Sequence, residues 1–250
     1  MNLLIDLGNS YCKWAVDSGS EELEVSTIHY ALKDTIGRVE AVLQAIKLSG
    51  VKQIHAVSVL GQVFEDMLAA QLNAVTDTKI KFYRSQKECF GVTLSYTNQQ
   101  SYGADRYAAV VAAHHRLSGD KIVIDCGTAT TIDVIDEQGN HAGGLIMPGI
   151  DLMVETLVNK ATGIPMSQAN QTIKLLCDNT EDAVYSGCAS MMQHGLNGII
   201  QQLTKDIEQE TSVIITGGAS HLLTLDAFEN VSYVQRPHIV LEGLQVMRED

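Results

Sequence analysis

Two short phrases hold the residues best suited to chemistry. Residues 3–17 read LLIDLGNSYCKWAVD and residues 123–136 read VIDCGTATTIDVID. Each is an apolar run, then Asp-x-Gly, then small hydroxyl or amide residues, then a second apolar run closing on Asp. Asp6 and Gly8 thus match Asp125 and Gly127, half a chain apart. Gly8 between two strands permits a turn whose backbone conformation other residues resist. Successive N–H groups in such a turn form a concavity that binds anions. Asn9 and Ser10 add side-chain donors there, and Asp6 would point a carboxylate into the same space, where it can hold a cation or a water beside phosphates. Lys13, three residues past Ser10, is within reach of a phosphate. The second turn supplies Gly127, Thr128, Ala129, Thr130 and Thr131. One such phrase alone reads better as an ordinary hairpin with a polar turn. Two at equivalent points of a duplicated topology point to turns that face each other and hold a triphosphate between them. A third stretch, SVIITGGAS at 212–220, is an apolar strand running into Gly217 and Gly218 and then a helix. Glycines in that place let a flat ligand or a sugar approach the backbone beside a helix N-terminus, a place for adenosine.

The elements that must position these phrases follow from hydrophobic periodicity. In the first half the pattern predicts strands over 2–7, 11–17 and 24–30, a helix over 36–48, a strand over 53–59, a helix over 63–72 and a strand over 80–83. In the second half it predicts strands over 121–126, 129–135 and 141–147, helical segments of which 182–208 is the clearest, a strand over 212–216, a short helix near 221–225 and a strand over 231–234. Both halves read β-β-β-α-β-α-β, an α/β class with one mixed sheet per half. GADRYAAVVAAHHRL, residues 103–117, is Ala-rich without interior Gly or Pro and predicts a helix between the halves. The expected domains are 1–117 and 118–250, with a final helix over 237–250 packing back onto the first. No low-complexity linker separates them, so the halves should touch and enclose a nucleotide cleft.

Composition narrows the classes. Lys and Arg number 17 against 30 Asp and Glu, a formal charge of −13, which disfavours a nucleic-acid surface because phosphate neutralisation needs clustered cations. The local basic stretch of Lys79, Lys81, Arg84 and Lys87 reads as the solvated face of a strand and loop. No apolar run is long enough for a membrane span, and nothing at the N-terminus reads as a signal peptide. Five scattered cysteines without a C-x-x-C pair fit a reducing, cytoplasmic setting. His114 and His115 are adjacent and do not share a helix face, which argues against a metal site. The Asn170-Gln-Thr sequon carries no weight in that setting, and Met191 and Met192 read as core or interface packing.

The chain resembles the two-domain ATPase superfamily of acetate and sugar kinases, actin and heat-shock ATPases, with an actin-like, ribonuclease H-like fold. Within it the sequence is similar to the type III pantothenate kinases. The marks are DLGNS at 6–10, Tyr96 with Asn98, GADR at 103–106, DCGTATTID at 125–133, GGLIMPG at 143–149, Thr180 with Ala183 and Gly187, and TGG at 216–218. Ser10 stands where the family more often has Thr, and Gln99 where it often has Pro. The resemblance implies ATP-dependent phosphorylation of the terminal hydroxyl of pantothenate to 4′-phosphopantothenate, the first step of coenzyme A biosynthesis. It also implies a homodimer, with magnesium and a monovalent cation, potassium or ammonium. Phosphoryl transfer needs positioning, charge stabilisation and an acceptor for the hydroxyl proton. Asp105 is the candidate base, and Arg106 the candidate for the pantothenate carboxylate. Gly103, Ala104, Tyr96 and Thr180 fall at the substrate by the resemblance. Asp6, Gly8, Asn9, Ser10, Lys13, Gly127, Thr128, Gly217 and Gly218 fall at ATP. Asp6 would hold magnesium, and Asp125 the monovalent cation. Each has a plainer reading: Asp105 as a carboxylate favoured by the helix dipole, Arg106 as a solvated arginine, Asp125 as a polar strand end, Thr180 or Asn179 as a helix cap, Tyr96 as packing in a β segment. Another small-molecule kinase, an ATP-driven conformational machine and a regulatory factor are the competing functions. Tyr96 and the GADR helix favour the pantothenate kinase over the first. A length of 250 residues weighs against the second, and the presence of Asp105 against the third.

Overall fold

Leu3, Leu4, Ile5 and Leu7 are all fully buried, the pattern of a strand covered on both faces. They belong to β1 (Asn2–Leu7), the middle strand of a five-stranded sheet. The structure, a computed structural model, describes residues 1–20, 22–32, 34–164, 173–205 and 209–249. The Asn170 sequon and the end of the helix expected to reach residue 208 lie outside the described residues.

β2 (Tyr11–Asp17) runs antiparallel to β1 and β3 (Val25–His29) antiparallel to β2. β4 (Gln53–Ser58) lies parallel to β1, and β5 (Lys79–Phe82) parallel to β4. Parallel neighbours need crossovers, which α1 (Thr35–Ala45) and α2 (Gln62–Val75) supply. Asp34 caps α1 by accepting a hydrogen bond from the Gly37 N–H at 2.9 Å. Phe64, Leu68 and Leu72, spaced four apart on α2, are buried in the core beside β1. A short hairpin follows, β6 (Glu88–Cys89) and β7 (Val92–Thr93), turned by Phe90 and Gly91 at φ 52° and 70°. α3 (Ala104–Arg116) is buried on nearly every side from Ala104 to Ala113, which explains why its sequence has almost no polar face.

The second series repeats the first. β8 (Asp120–Cys126), β9 (Ala129–Ile135) and β10 (His141–Pro148) precede α4 (Ile150–Lys160) and α5 (Thr180–Thr204), then β11 (Thr211–Thr216) and β12 (Val231–Gln235). Its strand order, β10-β9-β8-β11-β12, matches β3-β2-β1-β4-β5, and β11 is parallel to both β8 and β12. The mixed α/β class and the duplication read from the sequence both hold. One element differs. The helix expected after Gly218 is a single 3-10 turn over Ser220–Leu222, because Leu223 is already extended at φ −93°, ψ 134°.

Lys79, Lys81, Arg84 and Lys87 are all exposed, the solvated face read from the sequence, and three of them also have partners. Arg84 pairs with the buried Glu65, Lys81 sits over the Tyr83 ring at 4.5 Å, and Lys87 Nζ donates to the Leu94 carbonyl at 2.5 Å.

The chain forms two compact units, 1–118 with 135–143 and 238–250, and 119–134 with 144–237. In the first, α6 (Ile239–Met247) packs along α3 and against β1. Polar contacts fasten it. Arg248 pairs with the buried Asp17, Gln245 Nε2 donates to Asp17 Oδ1 at 3.3 Å and to the Ser20 carbonyl at 2.6 Å, and Arg116 donates to Gln245 Oε1 at 3.1 Å. The helices meet at Gly243, where an added Cβ would lie 2.5 Å from the Ala108 carbonyl carbon and overlap its oxygen. Gly243→Ala should therefore cost about 3 kcal/mol of stability by forcing α6 off α3, read as a lowered urea midpoint. An unchanged midpoint would show that the helices separate without cost.

Candidate active site

In the first unit, β1 and β2 bring Asp6 opposite Lys13, one pair before the end of the ladder, with Gly8, Asn9 and Ser10 between the strands. The Gly8 N–H donates to the Tyr11 carbonyl at 3.0 Å. The reason for glycine here differs from the one read from the sequence. Gly8 is not among the residues with positive φ; instead a Cβ would stand 3.1 Å from the Tyr11 oxygen. The Asn9 carbonyl accepts from Arg38 of α1 at 3.0 Å, tying the turn to the helix behind it. Behind Asp6, burial first and the Asp6 carboxylate second hold the Cys12 thiol far above its ordinary value, so it stays neutral and inert.

In the second unit, three backbone segments converge on Asp125. β8 ends beside β11 with Asp125 opposite Thr216. The Gly127 N–H donates to the Ala129 carbonyl at 3.2 Å, closing the turn. The Ala219 N–H donates to the Cys126 carbonyl at 3.0 Å, and the Gly149 N–H to the Thr128 carbonyl at 3.1 Å. Gly217 has φ 90°, and a Cβ there would lie 2.5 Å from both Asp125 Oδ1 and Cys126 N. A Cβ on Gly149 would overlap Gly127 and stand 2.6 Å from the Thr128 oxygen. Gly149, the N-cap of α4, thus joins this turn, a role that the GGLIMPG phrase did not reveal. Gly218 faces open space, with nothing within 4 Å of a Cβ. Burial, then the neighbouring Asp125 charge, push the Cys126 thiol up to about 12.

A third cluster opens α3. Gly103 is its N-cap, and Asp105 Oδ1 accepts from the Arg106 N–H at 2.7 Å. A Cβ on Gly103 would lie 2.5 Å from that oxygen, so glycine lets the carboxylate fold back over the helix start. Arg106 is 7% exposed, not a solvated arginine. Its guanidinium carbon lies 4.5 Å from the Tyr102 ring centroid and 5.8 Å from that of Tyr96, and Nη1 donates to the Tyr96 hydroxyl at 3.3 Å. Tyr96 lies outside any strand or helix. Tyr102 and His141 complete the cluster and were not singled out from the sequence. An aromatic just ahead of GADR was a usable signal for Tyr102; His141 had none.

Thr180 lies in the second unit, as the first residue of α5. The cap is Asn179, which accepts from the Asp182 N–H at 2.8 Å. The Thr180 side chain lines a cavity of about 680 Å³ with Asn179, Leu157, Val184, Cys188 and Met191. Met192 is buried and Met191 exposed. His115 Nε2 bonds the Phe90 carbonyl at 2.9 Å, and His114 packs on Gly91. Among the described residues no group of three or more His, Cys, Asp or Glu could hold a metal ion. No helix there is long and apolar enough to cross a membrane.

Two sheets of the same order, each with an Asp-x-Gly turn after its central strand, make a fold that solved sugar kinases share. A ROK-family glucokinase from Streptomyces griseus, solved with glucose and AMPPNP, superimposes with a TM-score of 0.57 at 11% identity, covering 100% of this chain and 99% of that one. A Campylobacter jejuni chain described as a Baf-family transcriptional activator gives a TM-score of 0.58 at 20% identity, covering 99% and 98%. The sequence matches the family model for type III pantothenate kinases over residues 2–202. Relatives named type III pantothenate kinase include one from Teredinibacter turnerae, 31% identical over 100% of this chain and 99% of its own. Another, from Herminiimonas arsenicoxydans, is 29% identical over 99% and 97%. The chain belongs to the type III pantothenate kinase family.

The two glycines of the TGG phrase should behave differently. Gly217→Ala should destabilise by about 2–4 kcal/mol, from a left-handed alanine and overlap with Cys126, whereas Gly218→Ala should leave the melting temperature near wild type. Equal melting temperatures for both variants would contradict the close approach at Asp125.

Proposed function

We propose that this chain transfers the γ-phosphoryl group of ATP to the terminal hydroxyl of pantothenate, giving 4′-phosphopantothenate, the first step towards coenzyme A. The observation that carries this reading is the α3 entrance, where Asp105 and a buried, tyrosine-flanked Arg106 stand side by side in a chain of this family. Asp105 is the general base. Its carboxylate is oriented by the Arg106 N–H and takes the hydroxyl proton as the oxygen attacks the γ-phosphorus. The bond from that phosphorus to the β,γ-bridging oxygen breaks, and ADP leaves. Arg106, with its fork held between rings, pairs with the pantothenate carboxylate, and Tyr96, Gly103, Ala104 and Thr180 line the substrate.

ATP is held by the backbone donors and side chains of Gly8, Asn9, Ser10 and Lys13, by Gly127 and Thr128, and by Gly217 and Gly218. Magnesium bound to nucleotide phosphates needs only one or two protein carboxylates, its other ligands being phosphate oxygens and water. Asp6, a single carboxylate at a strand end beside Lys13, fits that demand. The ion supplies charge neutralisation at the phosphates. Asp125 is the site for a potassium or ammonium ion, and a Cβ on Gly217 would lie 2.5 Å from its Oδ1. The working form is a cytoplasmic homodimer.

Purified protein with ATP, pantothenate and magnesium should yield 4′-phosphopantothenate by mass spectrometry, with potassium as the only monovalent cation and not with sodium. Product in both salts would discard the cation role of Asp125, and product in neither would discard the substrate. Asp105→Asn should lower kcat by roughly 10²–10⁴-fold with the KM for ATP kept; full turnover would remove Asp105 from the mechanism.

A further inference from the structure

The rings that flank Arg106 are themselves held by a residue from much later in the chain. His141, the first residue of β10, is 3% exposed. Its ring meets Tyr102 edge-on, centroids 5.1 Å apart, and lies tilted against Tyr96 at 5.9 Å. Tyr96 and Tyr102 also meet edge-on at 4.8 Å. The three rings thus support one another, and Arg106 lies against two of them. Ser95 Oγ and His141 Nδ1 are 3.2 Å apart and share a hydrogen bond, which sets the rotation of the imidazole.

The turn that delivers His141 is itself anchored. Asp136 accepts from the Asn140 N–H at 2.7 Å and from Asn140 Nδ2 at 2.9 Å. The Gly139 carbonyl accepts from the Thr93 N–H at 2.9 Å. Gly139, at φ 90°, sits against the Gly91 backbone so closely that a Cβ would overlap the Gly91 oxygen. All of these groups lie in the first unit.

We propose that His141 is a positioning residue for the substrate carboxylate: it fixes Tyr96 and Tyr102, and through them the plane of the Arg106 fork. This rests on the reading of Arg106 and Tyr96 as substrate-binding groups. A guanidinium free to rotate would spend side-chain entropy at each binding event, and a fork confined between rings has already lost it. The effect falls on pantothenate binding, because the His141 ring contacts run to the two tyrosines that flank Arg106.

The test is steady-state kinetics, with pantothenate and ATP varied in turn, on His141→Ala, His141→Phe, Ser95→Ala and Arg106→Ala. His141→Ala should raise the KM for pantothenate about tenfold, from the loss of two ring contacts, with kcat and the KM for ATP near wild type. His141→Phe, which keeps a ring, should recover most of that loss. Ser95→Ala, at an exposed residue, should raise the same KM about two- to threefold by freeing the imidazole. A raised KM for Arg106→Ala beside an unchanged one for His141→Ala would overturn the positioning role and leave the carboxylate assignment intact. An unchanged KM for Arg106→Ala would overturn both. A His141→Ala variant that loses ATP affinity and melting temperature along with pantothenate affinity would make the residue merely structural. If that variant does not fold, Ser95→Ala decides: no change in its KM for pantothenate overturns the proposal.

Discussion

β1 is hydrogen-bonded to a neighbour along both edges for all six of its residues, and its side chains are covered on both faces. Such a strand has no surface to offer except its ends. The chemistry therefore collects where the strand stops, at Asp6 and the turn after it, and the same constraint puts Asp125 and its turn at the end of β8. In the parallel pairs each crossover leaves from the C-terminal ends of the strands, so α1 begins beside the Asn9 turn and α4 beside the Gly127 turn. The register of the central strand sets where everything else can go.

The fold class was legible because the information for it is local. Apolar runs of strand length, an Ala-rich helix and a repeated phrase each survive reading one residue after another. What escaped is what depends on contact between distant segments. The helix expected after Gly218 is a single 3-10 turn that stops where Leu223 turns extended. The β6–β7 hairpin has two residues per strand, too few to show a period. His141 meets Tyr96 and Tyr102 only because a turn tens of residues away is pinned to β7. Gly8 was picked out for its type, but its reason is the Tyr11 oxygen next to it and not an unusual φ. Thr180 and Asn179 were both plausible caps, and Asn179 takes the task, leaving the Thr180 side chain to line the cavity.

Glycine does two separate jobs in this chain. At Phe90–Gly91 and Gly139 the backbone turns left-handed, and the turns lock together. At Gly149 and Gly243 the φ values are ordinary, and what matters is the missing side chain, which lets backbone approach backbone. Gly217 combines both, beside the carboxylate of Asp125. Motif glycines therefore differ widely in how much a methyl group would disturb, and Gly218, equally prominent in the phrase, faces open space.

The first unit is discontinuous: α6, which seals α3 and β1, is drawn from residues 239–247. A ribosome releases those residues only after every strand and helix of the second unit. Until then the apolar flank of α3, and the buried Asp17 that Arg248 neutralises, have no cover. The earlier-made unit is thus the later one to finish, and nascent chains halted before α6 would expose a helix surface with almost no polar side chains to holdase chaperones.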